Sequence, residues 1–171
     1  MTIENKTPAG PPVHSGQRAR LGLGALVGSG DRIAAFVLPF VLVGVALNIA
    51  FPAAFSVAGP SLWLQAVSAF VLAVGVVVWA WSVLLILTKV RAGELVTTGP
   101  YSLVKHPLYT SVALLVLPWL GFLLDTWLGA LTGIVLYVAS RLLAPNEEAD
   151  LAGRFGPEWD AYCRRVKVPW L

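Results

Sequence analysis

The sequence predicts an all-α integral membrane protein. It should have about four transmembrane helices and short cytoplasmic helices near the C-terminus. Three observations carry this. The 171 residues are 57% hydrophobic and only 12% charged, with a mean hydropathy of +0.77. A soluble domain carries roughly twice that charged fraction. The apolar residues fall in runs long enough to cross a bilayer. All twelve Lys and Arg residues sort to one side of a four-span arrangement.

Residues 1–30 read as a cytoplasmic tail and 31–171 as a single membrane domain. Met1 to Ser29 is rich in Gly and Pro, carries Lys6, Arg18 and Arg20, and has no apolar period. A mostly disordered tail is expected there. His14 lies within it as a solvated side chain. The tail is too long, and the apolar run behind it too extended, for a cleaved signal.

Ile33 to Phe51 is apolar except for Asn48. At about 1.5 Å per residue it makes roughly 28 Å of helix, enough for one crossing. Pro52, Gly59 and Pro60 mark a short uncharged loop. Leu62 to Leu87 forms the second span, with Trp63 as an interface anchor. It exceeds the bilayer thickness and should tilt or project. Lys89, Arg91 and Glu94 close it. Thr110 to Leu124 and Thr126 to Ala144 form a helical hairpin turning at Asp125 and Trp127. Pro118 and Gly121 predict a kink in its first arm.

Asn146 then reads as the N-cap of a new helix, with Glu147, Glu148 and Asp150 in its dipole-favoured first turn. Leu151 and Phe155 share a face. Gly156-Pro157 ends that helix, and Pro157 starts another with Trp159, Tyr162, Cys163 and Val166 at helical spacing. Pro169-Trp170-Leu171 reads as an interfacial foot. Positive-inside sorting puts both termini in the cytoplasm of a bacterial-type plasma membrane. The charge balance of +3 follows this topology and calls for no nucleic-acid partner. The single Cys163 excludes an internal disulfide and reads as structural.

The polar interruption between the spans is Thr97-Thr98-Gly99-Pro100-Tyr101-Ser102-Leu103-Val104-Lys105-His106-Pro107-Leu108-Tyr109. Gly99-Pro100 and His106-Pro107 are turn signals. Between and after them stand two phenols, an imidazole and an ammonium. Read alone, this is an ordinary loop with an interfacial Tyr/Lys anchor. Likewise, Glu147-Glu148 alone is a helix-start pair. Together they could form two walls of one site, suited to a ligand of mixed charge with an aromatic part. Two carboxylates could also hold a metal, but one local His and irregular spacing argue for no metal site.

Taken in order, Gly99-Pro100-Tyr101, His106-Pro107-x-Tyr109, a hydrophobic hairpin, Glu147-Glu148-x-x-Leu151 and Phe155-Gly156-x-Glu158-Trp159-x-x-Tyr162 resemble the isoprenylcysteine carboxyl methyltransferase family. That family belongs with the phospholipid methyltransferases, small integral membrane enzymes that use S-adenosylmethionine. The likeness covers Glu94 to the C-terminus. It implies an S-adenosyl-L-methionine pocket on the cytoplasmic side. Its residues would be Glu94, Leu95 and Val96 before the turn, then Tyr101, His106, Pro107, Leu108, Tyr109, Glu147 and the adjoining Glu148. The acceptor implied is a membrane lipid or lipid-linked small molecule, bearing a carboxylate or an amine.

The sequence departs from the family twice. Lys105 stands where Arg is usual, keeping the charge but not the bidentate fork. Leu143 stands where relatives that methylate prenylcysteine carry a substrate-binding arginine. Arg141, assigned to the acceptor as the nearest arginine, lies about 200° round the helix from that position. A nicotinamide-dependent reductase is a second reading, because sterol reductases share a similar terminal region. A non-enzymatic membrane scaffold of the same fold is a third.

Overall fold

The computed structural model describes residues 15–57, 59, 61–89 and 92–168, with side chains from residue 32 onward. Residues 1–14 of the expected tail and the 169–171 foot lie outside these. Helix α1 spans Ser15–Ala50. Its backbone is therefore helical through half of the stretch expected to be disordered. No proline occurs between Pro12 and Pro39, and Arg, Ala and Leu favour helix, so the apolar segment propagates backwards. The portion long and apolar enough to cross a membrane is Arg32–Ala50.

A short α2, Pro52–Phe55, leads to α3, Leu62–Lys89. A single 3-10 turn covers Gly99–Ser102. Next come α4 (Pro107–Ser111), a π-helical turn (Val112–Val116) and α5 (Leu117–Leu123), which together make one apolar arm. Helix α6 runs Leu128–Phe155 and α7 runs Pro157–Arg165. Three long apolar helices and this shorter arm make an all-α membrane protein.

Helix α6 packs against α1 and against the arm, and the arm packs against α3. Small residues let these backbones approach, as association of apolar helices in lipid requires. On α3 the buried residues are Ser68, Gly75 and Ser82, at heptad spacing. A Cβ on Gly75 would lie 2.6 Å from that of Leu115 in the arm. Between α5 and α6, Gly121 and Gly129 face each other, and a Cβ on Gly129 would strike the Leu117 carbonyl oxygen. One core, Ile33, Val37, Ala113, Leu136 and Ala139, joins α1, the arm and α6.

The kink expected around Pro118 takes the form of the π turn that precedes it. Proline has no N–H for the carbonyl four residues back, at Leu114. The wider π turn spans that position and absorbs the mismatch.

A second expectation is corrected. Asn146 caps no helix, because α6 continues unbroken through Pro145 to Phe155. Pro145 removes only one ladder bond, to Arg141, and the turns on either side hold the helix. Glu147, Glu148 and Asp150 therefore sit on the C-terminal half of a long helix, where the dipole does not favour them. Gly156, at φ 51°, ends α6, and Pro157 opens α7 as expected.

At the end of the bundle away from α7, Asp125 ties the two connections together. It has a left-handed φ of 54°. Its carboxylate accepts from Ser56 Oγ at 2.8 Å, Val57 N at 3.2 Å and Gly59 N at 3.1 Å. Thr126 Oγ1 donates to Asn48 Oδ1 at 3.0 Å, which gives the polar residue of the first span its partner. Trp127 Nε1 donates to the Ala54 carbonyl at 3.0 Å.

Candidate functional site

The opposite end of the bundle gathers the polar stretch, the end of α6 and α7. The Gly99–Ser102 turn buries Pro100 and Tyr101. His106 sits just outside α4 at φ −123°, ψ 58°, away from the helical region that a following proline disfavours. Pro107 behind it is fully buried. The chain's last described residues return alongside: Val168 N donates to the Leu103 carbonyl at 2.9 Å, in a parallel bridge with Val104.

Helix α7 roofs this region through a second core of Leu95, Trp159, Tyr162 and Val166, with Leu151, Ala152, Phe155 and Cys163 packed on it. Tyr162 Oη donates to the Tyr101 carbonyl at 2.9 Å, stitching the roof to the turn. Burial pushes both phenols well above their ordinary pKa, and the nearby Glu147 carboxylate pushes Tyr101 further. Both phenols therefore stay neutral. Burial also raises the Cys163 thiol, which suits a packing role.

The polar centre is a three-membered cluster. Lys105 Nζ donates to the Glu148 carboxylate at 2.6 Å, and His106 Nε2 lies 3.1 Å from Glu148 Oε1. The side chains are 13%, 10% and 25% exposed for Lys105, His106 and Glu148. Sequence residues more than forty apart thus meet, as the two-wall reading expects. The Glu148 carboxylate holds Lys105 and His106, while the charge of Glu147 acts on Tyr101. The two glutamates therefore act at the same end of the bundle, from neighbouring positions on α6.

Tyr109 stacks obliquely on His106, with centroids 6.4 Å apart, and also packs on the first core. With Leu108 it lines an apolar groove of about 310 Å³ between α1, the arm and α6, whose other walls include Ile33, Val37, Val41 and Leu136.

Three expected site residues stand differently. Leu95 is buried in the α7 core, so its side chain is committed to packing. Glu94 is exposed and pairs with Lys89 at 3.7 Å. Arg141 is exposed, whereas Leu143 packs on the first core, in line with their separation round the helix. Glu94 and Arg141 are not among the gathered groups. Sequence reasoning did not assign the Tyr162–Tyr101 bond, although it places Trp159 and Tyr162 at helical spacing.

Among the described residues, no three His, Cys, Asp or Glu side chains gather as they would around a metal ion. No family model matches the chain, and no solved structure matches it. The nickel-cobalt-cadmium resistance protein NccN of Alcaligenes xylosoxydans xylosoxydans is 37% identical over 84 residues. The match covers 44% of this chain, which spans only 35% of that relative's length.

Proposed function

We propose that this chain transfers a methyl group from S-adenosylmethionine to a lipid or lipid-linked acceptor at the cytoplasmic face of the membrane. One observation carries the reading. The His106-Pro107-x-Tyr109 stretch and the Glu147-Glu148 pair, the two motifs of the methyltransferase resemblance, meet in one cluster through Lys105 and His106 on Glu148. The groove of about 310 Å³ beside Tyr109 supports a hydrophobic acceptor. It lies on the membrane-crossing part of α1, within reach of bilayer lipid.

The residues present fit the cofactor. Lys105 offers N–H donors for a carboxylate. Glu147 and Glu148 offer acceptors for an ammonium or ribose hydroxyls. Tyr101, Tyr109 and the backbone of Leu95 and Val96 offer aromatic and main-chain contacts. When bound, the cofactor supplies a methyl group on a cationic sulfonium. The protein's share is alignment of the acceptor and exclusion of water, together able to contribute several kcal/mol. The neutral, buried Tyr101 and Tyr162 contribute to that exclusion of water.

Membrane vesicles containing the protein test both the reaction and its sidedness. Methyl-tritiated S-adenosylmethionine is expected to label organic-extractable material in inside-out vesicles. Sealed right-side-out vesicles should take up little. Label in the right-side-out vesicles alone would invert the topology. No lipid label in either would remove the reaction.

A further inference from the structure

We infer that Glu148 is a positioning residue that makes His106 the proton acceptor of the site. The inference rests on the methyl-transfer reading and deepens it, because that reading leaves the base unassigned. His106 Nε2 stands 3.1 Å from Glu148 Oε1. A carboxylate only accepts, so the hydrogen of that bond belongs to Nε2. In the neutral ring Nδ1 then carries the lone pair. A carboxylate holding one ring nitrogen while the other does the chemistry is the arrangement that orients catalytic imidazoles generally.

Lys105 completes the device. Its ammonium is 2.6 Å from the same carboxylate and only 13% exposed. This paired cation favours the ionised form of Glu148, so the carboxylate receives a hydrogen bond instead of carrying a proton of its own. The cluster is rigidly founded. Pro107 is fully buried next to His106, and Glu148 stands on the unbroken α6.

The consequence is a choice of acceptor chemistry. A carboxylate acceptor is already ionised near neutral pH and has no use for a base. A His–Glu pair serves an acceptor whose reacting heteroatom arrives with a proton. Nδ1 takes that proton. The freed electron pair of the heteroatom forms the new bond to the methyl carbon while the carbon–sulfur bond breaks and its electrons stay on sulfur. The proton later leaves Nδ1 to water. Glu148 touches no reacting atom in this scheme, and its share is the orientation of the ring.

The chain has two histidines, His14 and His106, so His14→Gln leaves one ring to observe. In that background, with ¹⁵N-labelled histidine and the full chain in nanodiscs at alkaline pH, nitrogen-detected NMR reads which nitrogen holds a protected hydrogen. The expected result is a slowly exchanging proton on Nε2. It should persist in Glu148→Gln, whose amide oxygen accepts the same bond, and disappear through exchange in Glu148→Ala. A protected proton on Nδ1, no protected ring proton at all, or a signal indifferent to Glu148→Ala would each overturn the assignment. The first two outcomes need no change at Glu148, so a misfolded Glu148→Ala protein cannot shelter the idea. Calorimetry with S-adenosylhomocysteine on the same His14→Gln protein separates the two failures. Binding with the wrong tautomer sinks the role of Glu148 alone, whereas no binding sinks the methyl-transfer reading beneath it.

Discussion

Glu148→Leu is expected to be among the most damaging single changes at the α7 end of the bundle, and Lys105→Met in the same chain should largely repair it. Glu148 accepts from both Lys105 and His106, whose side chains are 13% and 10% exposed. Removing it strands a nearly buried ammonium. Breaking a fully buried pair costs about 3–5 kcal/mol. Glu148 is itself 25% exposed, so water recovers part of that. We expect about 2–3 kcal/mol, in the range for hydrogen bonds to charged groups. Replacing both partners with apolar residues leaves no stranded charge and is often close to neutral. Thermal unfolding in detergent, read by tryptophan fluorescence over the four proteins of the cycle, checks this. An additive double variant would mean that the two side chains do not depend on each other.

Gly129→Ala is expected to hurt as much through a different cause. The added Cβ would strike the Leu117 carbonyl and lie 2.8 Å from the Cα of Gly121. Two backbones in direct contact have no rotamer to yield, so α5 and α6 must part. Overpacking of this kind costs about 1–3 kcal/mol or more. Gly153→Ala, lower on the same helix, is the matched control, since its Cβ meets nothing within 4 Å. There the same substitution should stabilise by about 0.5–1 kcal/mol. The two variants should move the unfolding temperature in opposite directions. Equal stability for Gly129→Ala and the parent would show that the helices sit further apart than described.

Much of this fold is legible in the sequence because the bilayer leaves few options. Long apolar runs must be helices, and the loops must fall where Pro, Gly and charge interrupt them. The second span, the turn at Asp125 and the Gly156-Pro157 break follow directly. Local signals mislead where tertiary packing overrides them. Asn146 followed by acids imitates a helix start, yet α6 is held on both sides and passes through Pro145. Pro118 announces a distortion, but whether it becomes a bend or a π turn depends on the neighbouring α3 and α6. The start of α1 is set by weak propensities that composition alone reads as disorder.

The site divides the same way. Order and spacing of motifs bring His106 and the glutamate pair to one end of the bundle. They do not say which glutamate holds Lys105 and His106, because adjacent helical positions differ by about 100° and the rotation of α6 is set by packing on α1 and the arm. That rotation assigns Lys105 and His106 to Glu148 and brings the charge of Glu147 to Tyr101. It also leaves Arg141 exposed while Leu143 packs inward.

Calorimetry of the purified full-length chain with S-adenosylhomocysteine tests the methyl-transfer account most directly, since it needs no knowledge of the acceptor. The account predicts binding in the micromolar range, about −8 kcal/mol. It also predicts a loss of about 1.5–3 kcal/mol in Glu147→Gln if that carboxylate bonds the cofactor, and no heat with NADPH. Heat with NADPH and none with S-adenosylhomocysteine would contradict it and turn the site over to a reductase.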